Sequence, residues 1–453
     1  MFDKADLIIK NGRLFSADLD GRVHWYDAAA VRDGKIITAG SDDEIAGYYS
    51  ENTEIIDAGG ATVLPGLCDS HAHGSYAVEL ICGAQAYNIE PEHDETREAY
   101  IDRLLENVKA YIAEHPDEAS IRAAGWNPAV FQENPDGLPT CHDLDKICDD
   151  KPLLMKSYCH HYLWVNSEAL ELSGITGDKV TPDGYIMYKD ENGNPTGIFQ
   201  EFLAMMDVLF SFDGADYSVE EYMKGILSYQ ENWALKNGTT CFFDPVLTPN
   251  SLHAYRALAE NGDLKLRVNG AILADPTKPV SQFDKWIEEK GCYDIEDKLK
   301  INTVKFFFDG SGFEMYLNEP FEKEILDANS LPENYAGREI WSPEKAKEAF
   351  LYAASAGFNI HVHSMGDGGV REALDAFEYV ASQGIDLKKQ RHVITHLMLI
   401  DDRDINRMDK LGIIAAMQPH WGMYDSFAEN YMVPMLGKHI GSLHYKRSIS
   451  DIF

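Results

Sequence analysis

Ala61-Thr62-Val63-Leu64-Pro65-Gly66-Leu67-Cys68-Asp69-Ser70-His71-Ala72-His73-Gly74 is an apolar run that closes on a His-x-His pair. Alternate residues of an extended strand point to one side, so His71 and His73 offer two imidazoles with a single direction of approach. Three further runs end in the same manner. Ile301 to Gly310 carries Lys305 among apolar residues, Phe358 to His363 finishes on His361-Val362-His363, and Arg391 to His396 finishes on His396. In a barrel of parallel strands the chemistry gathers at the carboxyl ends, where ligands distant in sequence can meet. The four runs therefore read as parts of one divalent-metal site.

Lys305 needs its own explanation, because an ammonium buried without a partner is costly. It is paired with a carboxylate (Asp309 or Glu201), snorkels from a strand end, or is chemically changed. His361 and His363 share a face, and pattern does not choose between them. His392 lies two pleats before His396 and reads as structural. For His71 and His73 the plain alternative is a half-buried strand with two hydrogen-bonded imidazoles.

The order and spacing of several blocks resemble the amidohydrolase superfamily, within it the branch typified by N-substituted formamide deformylases. These blocks are Leu64-Pro65-Gly66 through His73, His161 to Ser167, Val304-Lys305 through Ser311, His363 through Asp367, and Ala416 to Pro419. The resemblance implies that His71 and His73 bind the more buried metal, that Lys305 is carboxylated and bridges two metals, and that His363 and His396 hold the second. It selects His363 over His361. It also implies that the block at His161 lines the substrate pocket, although a buried, satisfied histidine is an equal reading. An aspartate after strand eight is expected to bind metal and shuttle protons. None is found, because Tyr445 to Phe453 resembles the helix before that strand and the sequence ends there.

Three other residues are candidates. Trp126 is a pocket wall or simply core, Glu201 a lid residue or a supplementary ligand, and Asp367 a carboxylate that orients a metal-bound histidine.

Forty basic against seventy-five acidic residues leave a formal charge of -35, which repels nucleic acid and anionic membranes. Seven scattered cysteines without a CxxC pair suggest free thiols in a reducing compartment. No signal peptide or spanning apolar stretch is recognised, so a cytoplasmic location is expected. Oligomeric state is open, and a homo-oligomer is compatible.

The fold class expected is α/β, a (β/α)8 TIM-type barrel that lacks strand eight. Residues 1–60, short strands punctuated by Asn11-Gly12, Asp33-Gly34 and Gly40, are expected to form a partial β-sandwich. Residues 61–453 form the metal-dependent barrel, with strands at Thr239 to Phe243, Leu264 to Val268, Thr303 to Phe308, Asn359 to His363, His392 to His396 and Ile413 to Met417. Helices are expected over Ser342 to Ala356 and Gly369 to Ser382. About residues 76–217 are an insertion with a helix near Arg97 to Glu114 and a hairpin over Asp183 to Glu201. Such an insertion is expected to act as a lid.

Imidazoles about 2.0–2.1 Å from a divalent ion, zinc first and one or two in number, leave positions for an activated water. The expected function is hydrolysis of a non-peptide, amide-type C–N bond in a small molecule. Deamination or cyclic-amide opening by the same centre is the alternative within enzymes. An inactive truncated or ligand-binding relative is the alternative outside them.

Overall fold

The computed structural model describes residues 4–18, 21–132, 137–181, 185–422 and 428–442. Asp183, Gly184 and Tyr445 to Phe453, read from the sequence as the helix before an eighth strand, lie outside them. The chain divides into two compact units.

The first unit is Met1–Cys68 with Gly238–Thr240. Its four-stranded sheet has the order Lys35–Gly40, Ala28–Arg32, Leu7–Lys10, Glu54–Asp57, and its three-stranded sheet the order Val23–Tyr26, Arg13–Ala17, Thr62–Val63. Asp33 and Gly34 have φ of 50° and 72°, the left-handed pair that matches a two-residue hairpin to strand twist. Ala5, Ile8, Ala28, Ala30 and Ile45 form its small core.

The second unit contains most of a seven-stranded sheet in sequential order. Its strands are β1 (Leu67–Asp69, through which the division runs), β2 (Thr239–Asp244), β3 (Arg267–Leu273), β4 (Leu299–Phe307), β5 (Asn359–Ser364), β6 (Val393–His396) and β7 (Ile414–Ala416). From β2 to β7 every neighbouring pair is parallel. Helices lie between these strands, including Pro249–Glu260, Pro343–Ser355, Asp367–Ser382 and Asp402–Leu411, so the architecture is α/β of the TIM-barrel kind.

One side of β4 and β5 faces those helices: Phe306, Phe308 and Phe377 ring Phe350 at centroid distances of 4.8, 5.5 and 4.8 Å. The opposite side carries Lys305, Phe307, His361 and His363, which the register pairs as Lys305 with His361 and Phe307 with His363. Strand β3 lies three residues later than the apolar pattern suggests. Asn269-Gly270 interrupts the run, but a Cβ on Gly270 would stand 2.4 Å from Leu247 and 2.7 Å from Ile301, so close packing takes precedence over strand propensity there.

The insertion folds into a sheet of its own. Six strands run in the order Ile186–Lys189, Pro195–Gln200, Tyr162–Val165, Leu153–Ser157, Ile121–Trp126, Ala84–Gln85. The helix Arg97–Glu114 lays Tyr100, Ile101, Leu104, Leu105 and Val108 into the core beside it. Trp126 belongs to that core and is not a pocket wall. It is fully buried, its Nε1 donates to Met155 O at 3.0 Å, and Trp164 and Phe131 pack on it at 5.6 and 6.0 Å.

All seven cysteines are free thiols. Among the described residues no helix is long and apolar enough to cross a membrane. Replacing Phe350 by Ala is expected to cost roughly 3–5 kcal/mol, as for a fully packed core aromatic. Urea unfolding checks this, and an unchanged midpoint would remove Phe350 from the load on the barrel.

Candidate metal centre

The pleat aims two of the histidines, while His71 and His73, expected on an extended strand, lie in the turn that follows one. His361 and His363 stand two residues apart on β5, on the face that carries Lys305. His71 and His73 follow β1, where Ala72 N donates to Phe243 O at 2.9 Å and fastens the pair beside β2. Ser75 N donates to the buried carboxylate of Asp244 at 3.0 Å and closes the turn. Gly74 is obligatory at this spot, because a Cβ would meet Phe242 at 2.7 Å.

His396 reaches the same place by a different route. Register pairs it with Ser364, and Thr395 with His363, so the pleat alone aims His396 away from the cluster. Its φ is 75° and that of Leu397 is 50°, an uncommon left-handed pair outside glycine. The chain leaves the ladder there, and the His396 ring comes to lie 4.5 Å from that of His363 and 4.9 Å from that of His71. Gln418 Oε1 holds His396 Nδ1 at 3.0 Å, and Trp421 stacks on the ring at 5.1 Å. His392 stays on the helix side: its Nδ1 accepts from Ile360 N at 3.1 Å and its Nε2 meets Gln390 Oε1 at 3.0 Å, so it is structural.

Five imidazoles therefore gather. His71 lies 5.2 Å from both His73 and His361, and its Nδ1 is 3.1 Å from His361 Nε2. His361, left open between two readings by the sequence, joins the cluster beside His71, while His363 stands beside His396. Burial holds His71, His73, His361 and His363 well below the ordinary histidine range, reinforced by the charge of Lys305, and lowers His396 to about 3. Neutral imidazoles are what a metal requires.

Lys305 is 1% exposed, with Nζ 4.7 Å from the Phe307 ring centroid. Burial brings its pKa down to about 7, with Asp309 pulling the other way. Asp309 is fully buried, and burial pushes it up to about 8. Its carboxylate accepts from Gly366 N at 2.7 Å, Met365 N at 3.0 Å and Tyr316 N at 3.2 Å, and lies 3.7 Å from His363 Nε2. Asp309, rather than Asp367, is therefore the carboxyl group beside His363. Asp367 binds Asn318 N at 3.0 Å instead and fastens a loop, because it starts the helix after β5 and its side chain turns away from His363.

At the rim, His161 Nδ1 meets Glu201 Oε2 at 2.8 Å, and the His161 ring is 6.3 Å from that of His363. Burial lowers the pKa of His161, but the charge and hydrogen bond of Glu201 outweigh it and hold the imidazole above its ordinary range. Glu201 has φ of 64°, and Gly310 passes so near that a Cβ there would stand 2.7 Å from its carboxyl.

The site fits a cation in its donor chemistry: His73 Nδ1 and His363 Nε2 are buried with no hydrogen-bond partner among the described residues. Such atoms are expensive unless something binds them. The one trio of His, Cys and carboxylate donors already within 4.8 Å of one another, among the described residues, is Cys141, His142 and Asp145 on the insertion. There Asp145 is engaged by Ser167 N and Oγ at 2.9 and 2.6 Å.

The chain is 28% identical over 438 residues to the exoenzymes regulatory protein AepA of Pectobacterium carotovorum subsp. carotovorum, covering 93% of this chain and 87% of that one. It is 27% identical to the putative amidohydrolase YtcJ of Bacillus subtilis (strain 168), with 91% and 72% covered. It is 24% identical to an N-substituted formamide deformylase of Arthrobacter pascens, with 92% and 74% covered. In fold it resembles an uncharacterized metal-dependent hydrolase from Pyrococcus furiosus, with a TM-score of 0.67 at 23% identity over 98% of this chain and 83% of that one. The family model described as "Amidohydrolase family" matches residues 54–448, and the chain belongs to that family.

Proposed function

We propose that this chain is a metal-dependent hydrolase of a non-peptide, amide-type C–N bond in a small molecule. The observation that carries the reading is the buried cluster of neutral imidazoles, two with unpartnered nitrogens, at the carboxyl ends of parallel strands. His71, His73, His363 and His396 would hold one or two divalent ions, zinc first, with Lys305 between them and His361 beside His71. Such an ion supplies Lewis acidity, polarising a carbonyl and lowering the pKa of water toward ~7.

The chain's own groups supply the rest. Lys305, brought to about 7, has a substantial neutral fraction at neutral pH, so its Nζ lone pair can add to carbon dioxide and release a proton to give a carbamate. Asp309, cradled by backbone N–H groups, stands 3.7 Å from His363 Nε2 as a carboxyl group beside the cation site. His161, whose Nδ1 is held by Glu201 Oε2, is placed to present its other ring nitrogen at the rim as an N–H donor to the carbonyl oxygen as negative charge develops on it. The insertion that contributes this pair would act as a lid and keep bulk water out. A hydrolase reading also agrees with the names of two relatives, the putative amidohydrolase and the formamide deformylase. The name of the third describes regulation, and turnover is the measurement that separates the two.

Three outcomes are expected. The double substitution His71→Ala and His73→Ala strips the metal, read by elemental analysis of the purified protein. Metal content equal to the parent's would refute the first-strand ligands. After exchange with 13C-bicarbonate, the parent shows a carbamate carbon resonance that Lys305→Ala lacks; its absence from the metal-loaded parent would leave Lys305 unmodified. On a panel of N-formyl and N-acyl amines, His161→Ala loses roughly 10²-fold in kcat with KM much less affected, the signature of one lost donor to a developing oxyanion. A loss confined to KM would make His161 a binding residue only.

A further inference from the structure

The ring of His73 is oriented differently from those of His71 and His396. His396 Nδ1 is held by Gln418 Oε1, and His71 Nδ1 lies 3.3 Å from Thr395 Oγ1 and 3.1 Å from His361 Nε2. No hydrogen bond reaches the His73 ring among the described residues. It lies flat on Tyr76 instead, with ring centroids 4.6 Å apart and planes inclined by 19°. A metal-bound imidazole is commonly fixed by a hydrogen bond to its second nitrogen, and here a ring stack stands in that place. We infer that Glu79 is a positioning residue for His73 that acts through Tyr76: its buried carboxylate holds Lys156 and His160 around the phenol ring on which the imidazole rests. This rests on the reading of His73 as a metal ligand and adds a determinant of metal affinity from outside the ligand set.

Three groups enclose Tyr76. Besides His73, the His160 ring lies 4.9 Å from it, and Lys156 Nζ stands over it at 5.0 Å from the centroid. Both of these come from the insertion, Lys156 on the strand Leu153–Ser157 and His160 in the turn that follows. Both are tied to one carboxylate. Glu79 is 1% exposed; its Oε1 accepts from Lys156 Nζ at 2.7 Å, and its Oε2 lies 3.5 Å from His160 Nδ1. Neither Oε2 nor that Nδ1 has a hydrogen-bond partner among the described residues, so each faces the other. His160 has φ of 63°, a conformation that only its surroundings hold. Glu79 itself stands on the helix Ala77–Cys82, whose N-cap is Tyr76. The contact therefore fastens the insertion to the turn that carries His73.

Glu79 also answers a charge problem. The Lys156 side chain is 13% exposed and lies one ring away from His73, where an unpaired ammonium would oppose the arrival of a dication. The carboxylate cancels that charge locally. An ammonium over a phenol face is attracted to it, the more so where water is excluded, so the same pairing keeps Lys156 on Tyr76. Removing the Glu79 charge acts in two ways: it leaves the ammonium uncompensated, and it frees the ring beneath His73 to shift. An ion pair that served stability alone would leave the metal affinity of the folded chain unchanged.

The test loads the metal-free full chain with cobalt(II) alone, reading affinity by competition with a chelator and ligand geometry by the visible d–d bands. Glu79→Gln is expected to weaken binding roughly 10–100-fold, the scale for groups that orient a ligand, and to alter the bands. Tyr76→Leu, which removes no charge, should do the same, whereas Tyr76→Phe keeps the ring and should bind as the parent does. Urea unfolding of each metal-free variant separates the fold from the site. Affinity and bands equal to the parent's in Glu79→Gln, or in Tyr76→Leu should the former not fold, would overturn the inference and leave the Glu79–Lys156 pair to stability alone. A Tyr76→Phe variant as weak as Tyr76→Leu would also overturn it, by moving the effect to the hydroxyl. If the parent bound no cobalt, or His73→Ala bound it as tightly as the parent, the ligand assignment would fall and this inference with it. Binding lost in His73→Ala and fully kept in Glu79→Gln and Tyr76→Leu would defeat this inference alone.

Discussion

The structure depends on one constraint: basic side chains are held out of water, uncharged, at the end of a parallel sheet. Removing an imidazole or an amine from water penalises its protonated form, and here the groups also oppose one another's charging. The cluster therefore presents lone pairs where an exposed set of histidines and a lysine would present positive charge. This polarity is what the proposed ligand set rests on. Asp309 lies close to both Lys305 and His363, and its anchoring by the backbone of Tyr316 on one loop and of Met365 and Gly366 on another ties both loops to the site.

Aiming the side chains requires two devices. The period-2 pleat serves His361 and His363, whereas His396 needs a left-handed backbone at the strand's end. Glu201 and His160, at the insertion's edge, also have positive φ, of 64° and 63°. Non-glycine residues in this region are held there only when the surroundings over-determine them. At Glu201 the surroundings are named: His161 Nδ1 and Ser311 N on its carboxyl group, and Gly310 pressed against it.

Much of the fold was legible from local signals. The helix Arg97–Glu114 falls where its apolar stripe places it, β6 ends on His396 as read, and β5 runs one residue past His363. The hairpin turn at Asp33-Gly34 follows from the two residues that tolerate positive φ. Of the insertion's six-stranded sheet only the last hairpin was legible, because the inner strands Ile121–Trp126, Leu153–Ser157 and Tyr162–Val165 are short and buried on nearly every residue, which removes the alternation that marks a strand. Trp126 and Asp367 failed for a related reason. Each has the right chemistry for the role assigned, and which way the chain turns beside it is a matter of packing.

The sequence by itself determined which residues sit at strand ends and what donor types they bring, since strand periodicity and side-chain chemistry are properties of neighbouring residues. Only the tertiary structure decided that His361 joins His71, that Asp309 and not Asp367 approaches His363, and that His396 turns inward. These outcomes depend on the register between strands and on a backbone torsion held by distant contacts, and neither is encoded in a run of ten residues.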